Sequence, residues 1–255
     1  MSIFICSNCD ISFNDSVKFC TQCGANLLEK GEEENSKYIT KSVVFYLTFI
    51  TYIVVYYILS PEFLTLGFTL FLEGIFAVLI LTFCLFDLKK IVRLFRIPKV
   101  NIWVYVFIFI FPVISAFIVS ISMEYINSRL FGFDSENLYL NYIAFENPIL
   151  WSFIFISFVP AVFEELGFRG YLFNQLLKIT SPKVTILITA FLFALMHFSF
   201  VSIVWIFPFG LVLGYLRLKH NTIWFGMIIH FIHNSVVLLI DMSYYEVFFN
   251  DNLPF

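Results

Sequence analysis

Charge is what this sequence has least of. Of its 255 residues only 13% are Asp, Glu, Lys or Arg, while 60% are hydrophobic and 21% aromatic. Mean hydropathy is +0.91. A soluble domain of this size needs far more polar surface, so composition excludes one and points to a polytopic membrane protein. The net charge of −3, with no basic groove-like patch, excludes a nucleic-acid partner. Met1 to Leu28 lack a basic start, an apolar run and a small-residue cleavage site, so no cleavable signal peptide is expected. No internal repeat is evident. There is no G-x-S-x-G turn for a nucleophilic serine, and no H-E-x-x-H for a zinc protease.

Cysteine is also sparse, but it is not scattered. Cys6, Cys9, Cys20 and Cys23 form C-x2-C-x10-C-x2-C, and Cys84 stands alone in an apolar run. Two CxxC pairs let four thiolates converge on a tetrahedral zinc; the alternatives are a pair of disulfides or a redox CxxC. Residues 1–28 are too few to bury a core, so metal binding would supply their folding energy. Four protein ligands make such a site structural, and reduced thiols imply the cytosolic side. The text FCTQCGANL resembles the small zinc ribbons fused to many bacterial proteins. A cytosolic protein partner could dock there. The charged stretch 29–41 reads as a solvated, mobile linker.

The membrane domain is expected over residues 42–241, followed by a tail, 242–255. A bilayer core of about 30 Å needs about 20 apolar residues per helix. Seven all-α spans fit: Val43–Ser60, Leu64–Phe86, Ile102–Met123, Pro148–Leu177, Val184–Phe198, Phe200–Leu216 and Thr222–Ile240. Lys89, Lys90, Arg93, Arg96 and Lys99 follow the second, Lys178 and Lys183 the fourth, and Arg217 and Lys219 the sixth. The positive-inside rule makes these loops cytoplasmic, with the amino terminus inside the cell membrane and the carboxyl terminus outside. The segment Glu124–Glu146 is acid-rich, with Arg129 its only base.

Against this background, ionisable residues inside spans are functional-site candidates. Glu164, Glu165 and Arg169 interrupt the fourth span. Four residues apart on a helix, Glu165 and Arg169 share a face, whereas Glu164 is turned about 100° away. Arg169 can therefore neutralise Glu165 and leave Glu164 free to face a cavity. His197 ends the fifth span, and His230 and Asn234 share a face of the seventh. Counted from the basic anchors at about 1.5 Å per residue, Glu164, His197 and His230 fall in one layer. A carboxylate with a histidine can activate water: Glu164 as general base, His197 orienting the water, His230 and Asn234 donating to an oxyanion. The chemistry is amide hydrolysis. Glu73, alone in the second span, is expected to face other helices or a water pocket without a catalytic role. His233 reads as a packing residue.

EExxxR, FxxxH and HxxxN, in that order on separate membrane helices, resemble the CPBP family of CAAX proteases and bacteriocin-processing enzymes. The motifs stand intact as Glu164–Arg169, Phe193–His197 and His230–Asn234, within residues 148–240. The resemblance implies an intramembrane endopeptidase acting on a peptide or membrane-anchored protein. It implies Glu164 and His197 on the water, His230 and Asn234 on the oxyanion, and Glu165 with Arg169 holding the site together. It leaves open a zinc held by Glu164, His197 and His230; the missing H-E-x-x-H favours chemistry without a catalytic metal. Two other functions compete: an immunity or scaffold protein whose polar cluster only locks helices, and a proton relay. The relay lacks support from an inverted repeat or paired broken helices.

Overall fold

The computed structural model describes residues 4–5, 12–13, 19–24, 28–59, 65–132 and 137–245. Three two-residue strands, β1 (Phe4–Ile5), β2 (Ser12–Phe13) and β3 (Leu28–Glu29), pair antiparallel in the order β2-β1-β3. Within the same region the Gly24 N–H donates to the Cys20 carbonyl at 2.9 Å, closing a turn in which Gly24 takes a φ of 71°. Cys20 is buried and Cys23 exposed. Cys6 and Cys9, the other half of the expected zinc site, lie outside the described residues.

The remainder is helical: α1 (Lys30–Leu59), α2 (Leu66–Leu85), α3 (Leu88–Leu94), α4 (Ile102–Ile126), α5 (Pro148–Leu176), α6 (Pro182–Leu195), α7 (Phe200–His220) and α8 (Trp224–Tyr245). The stretch expected to be a mobile linker is instead mostly the start of α1. Residues 32–34 already lie within its first turns.

Six helices are long and apolar enough to cross a membrane, all but α3 and α6. The chain is a multi-pass membrane protein, but the expected seven full spans become six and a short helix. At 14 residues, α6 is about 21 Å long, well under the bilayer core. It is cut short by a reversal that hydropathy does not reveal. Phe198 adopts a left-handed φ of 51°, an uncommon state for a bulky residue, and Ser199 caps α7 by accepting from the Ser202 N–H at 3.2 Å.

The basic segments gather at one end of the bundle. Asp87, between α2 and α3, accepts from Asn174 at 3.2 Å and Gln175 at 3.3 Å. Arg217 donates to the Asn174 side chain at 2.8 Å and to the Arg169 carbonyl at 3.0 Å. The Leu94 carbonyl accepts from the Ile223 N–H at 3.1 Å and from the Thr222 hydroxyl at 3.1 Å. Lys178 stands 4.1 Å over the Tyr38 ring. Partial burial, then Lys90 beside it, draws its pKa down to about 8. The core above this end is aromatic: Phe45, Phe49, Phe168, Phe193 and Tyr171 are buried, with Phe168 edge-on to both Phe193 and Phe49. Trp103, Val78 and Ile121 are exposed on outer helix faces, where lipid would cover them.

Candidate active site

The helix that carries the paired glutamates is not a regular α-helix. Two π-helical segments, Phe153–Phe158 and Leu166–Leu172, flank Val159–Glu165. Such segments are rare and concentrate at functional sites. Pro160 explains part of the irregularity. It has no N–H, so the carbonyl one turn back, Ile156, loses its α-helical donor. Asn234 of α8 fills the gap, donating its side-chain amide to Ile156 O at 2.8 Å. A proline break in one span is thereby satisfied by a neighbouring span.

The second π-helical segment begins just after Glu165. Arg169 Nη1 donates to Glu165 Oε1 at 2.7 Å, and both side chains are buried to within 1% of complete. Arg169 also lies 4.2 Å over the Phe193 ring and donates to Gly210 O at 3.5 Å. Two glycines make this possible. A Cβ on Gly226 would collide with Glu165 Oε2 and stand 3.2 Å from its Cδ. A Cβ on Gly210 would meet Ala190 at 3.1 Å and Arg169 Nη2 at 3.3 Å. The acid–base pair therefore sits in a slot that α7 and α8 leave by having no side chain there.

His230 of α8 lies between the two carboxylates. Its Nδ1 is 3.4 Å from Glu165 Oε1, and its Nε2 is 4.0 Å from Glu164 Oε2. The Phe193 ring touches both histidines edge-on, with centroids 5.2 Å from His197 and 5.9 Å from His230. The structure thus brings Glu164, Glu165, Arg169, His197 and His230 into one neighbourhood. His233 packs on Phe209, ring centroids 4.7 Å apart.

Glu164 and His197 also line a cavity of about 530 Å³. Phe49, Tyr52, Tyr56 and Glu73 of α1 and α2 form one wall, and Asn141 and Tyr142, before α5, form part of another. His197 Nδ1 lies 2.9 Å from the Phe193 carbonyl. A carbonyl only accepts, so Nδ1 carries the proton, and in the neutral ring Nε2 keeps its lone pair. Neither His230 nor Asn234 is among the cavity-lining residues; their contacts run to the glutamates and to Ile156 O. His230 backs the carboxylates, and Asn234 braces the helix that presents Glu164.

Three participants were not expected. Glu73, read as a residue without a catalytic role, shares the Glu164 cavity. Its only sequence signal is that it is an acid in an apolar helix. Asp87, which nothing in the sequence singled out, and Arg217, read as a basic flank of the sixth span, hold the far end of α5 through Asn174 and the Arg169 carbonyl. Among the described residues no three His, Cys, Asp or Glu side chains form a group able to hold a metal ion.

Residues 146–236 match the family model described as type II CAAX prenyl endopeptidase Rce1-like. Across that stretch the chain is similar to the Rce1-like family. The match holds the paired glutamates, Arg169, both motif histidines and Asn234, and leaves out α1, α2 and the cysteine-bearing amino terminus. Within the matched segment lie both π-helical turns of α5 and the short α6; Glu73 and the tyrosines of α1 lie outside it. No curated protein and no solved structure matches the chain.

Proposed function

We propose that the protein is an intramembrane endopeptidase that hydrolyses a peptide bond with a water activated by Glu164. The observation that carries this is that Glu164 and His197 line one cavity, with Glu165 occupied by Arg169. A water between them would place one hydrogen toward the Glu164 carboxylate and the other toward His197 Nε2, leaving an oxygen lone pair for the carbonyl carbon. Glu164 takes the proton as the C–O bond forms. It returns that proton to the departing nitrogen as the C–N bond breaks, giving a free amine and a carboxylic acid, which then ionises by losing the second water proton to solvent. His230 and the Glu165–Arg169 pair hold Glu164 in place. Substrates are peptides or membrane-anchored proteins.

The basic end of the bundle is proposed to face the cytosol. Leu138, Asn141 and Tyr142 of the segment after α4 line the cavity, which supports an opening toward the opposite end. The amino-terminal cysteines are proposed to hold one structural zinc, to which Cys20 and Cys23 contribute half the ligands.

One experiment separates these claims. The purified protein and its Cys20→Ser variant are incubated with a peptide mixture, and the new termini are read by mass spectrometry while metal content is assayed. The expected result is one zinc per chain in the first and none in the second. Paired new termini are expected from both, persisting with chelator in the variant. A wild-type protein that melts cooperatively yet cuts nothing contradicts the proteolytic reading and favours a helix-locking polar cluster. Cleavage by the variant that chelator abolishes contradicts the metal-free mechanism. Zinc retained by Cys20→Ser contradicts the four-thiolate site.

A further inference from the structure

The cavity contains two carboxylates and one histidine, and no lysine or arginine lines it. Glu164 comes from α5 and Glu73 from α2, on a helix that the family match does not reach. Tyr52, Tyr56, Tyr57 and Tyr142 line the same space. No Lys or Arg is among the cavity-lining residues. Glu73 has no hydrogen bond or ion pair to a described residue, and Glu164 Oε2 is wholly buried with no hydrogen-bond partner.

Two carboxylates in an apolar cavity are costly unless something of opposite charge joins them. The Glu165–Arg169 pair shows how this protein meets that cost where it can, with an internal cation. At Glu73 it supplies none. The aromatic faces beside Glu73 are those that attract ammonium and guanidinium groups. A free peptide carboxylate, by contrast, would meet two acids and no lysine or arginine in this cavity.

We propose that Glu73 and the tyrosines around it form a subsite for a lysine or arginine side chain next to the scissile bond, so that the enzyme cuts at basic sites. This rests on the proteolytic reading, for it assigns the substrate class of that same cavity. Glu73 is a specificity residue: it binds the cation and leaves water activation to Glu164.

The test compares three peptides that differ at one position beside the bond: lysine, norleucine and glutamate. For the wild-type protein kcat/KM should be at least tenfold higher with lysine than with norleucine, and lowest with glutamate. In Glu73→Gln the lysine-to-norleucine ratio should fall to about one, and Glu73→Asp should restore part of it. Equal values for the three peptides in wild type, or an undiminished ratio in Glu73→Gln, overturn the proposal. A second arm reads binding alone. The same peptides are titrated into Glu164→Gln, with affinity read by intrinsic tryptophan fluorescence, and with Glu164→Gln/Glu73→Gln as the comparison. Lysine-selective binding that vanishes in the double variant supports the subsite even if cleavage fails, in which case only the hydrolytic mechanism falls. Absence of selective binding sinks the subsite while leaving proteolysis standing.

Discussion

Replacing Glu164 with glutamine is expected to lower kcat by about 10²- to 10⁴-fold, the range that general-base catalysis contributes. Glutamine keeps the shape of glutamate, and it can still hydrogen-bond. It cannot take a proton from water at neutral pH. Glu164 is not the partner of Arg169, so the substitution does not break the buried ion pair. The melting temperature should therefore stay within a few degrees of wild type. The check is steady-state cleavage together with thermal unfolding on the same detergent preparation. If unfolding shifts as much as cleavage, Glu164 is part of the scaffold and the chemistry must be sought elsewhere.

Arg169→Met is expected to do the reverse. It removes the guanidinium bonded to Glu165, whose side chain is completely buried. Leaving one member of a buried pair alone typically costs about 3–5 kcal/mol. For a chain of this size that corresponds to a fall in melting temperature of roughly 10 °C. Replacing both members, as in Arg169→Met with Glu165→Leu, removes the stranded charge and should recover most of that stability, because apolar replacement of a buried pair is close to neutral. Activity should not return with it, since His230 Nδ1 would lose the carboxylate 3.4 Å away and with it the support behind Glu164. Denaturant unfolding of the three variants checks the order. A double variant as unstable as Arg169→Met alone would show that the pair does more than neutralise itself.

The sequence was most readable where spacing acts within one helix. Four residues separate Glu165 from Arg169, and the two meet despite the π-helical turn between them. It was least readable where helices meet one another. Glu73 and Glu164 are 91 positions apart, and nothing in either helix says that α2 and α5 share a cavity. Asn234 was placed by its motif, but its contact depends on Pro160 freeing the Ile156 carbonyl on another helix. The short α6 misled the span count for a local reason. Hydropathy continues straight through His197 and Phe198, while the backbone reverses at a left-handed phenylalanine that no propensity would suggest. The start of α1 has the charge and glycine typical of a linker, yet the helix already begins at Lys30.

The account rests on a peptide entering the space between α1, α2 and α5, where Glu164 and His197 wait. Photo-crosslinking reads this directly. A substrate with a photoreactive residue next to the scissile bond is bound to Glu164→Gln, irradiated, and the adducts mapped by mass spectrometry. Adducts on Tyr52, Tyr56, Tyr142 or Met196, all of which line the cavity, are predicted. Adducts confined to the lipid-side groove of Trp103, Phe107 and Tyr215 would place the substrate on a different face and contradict it.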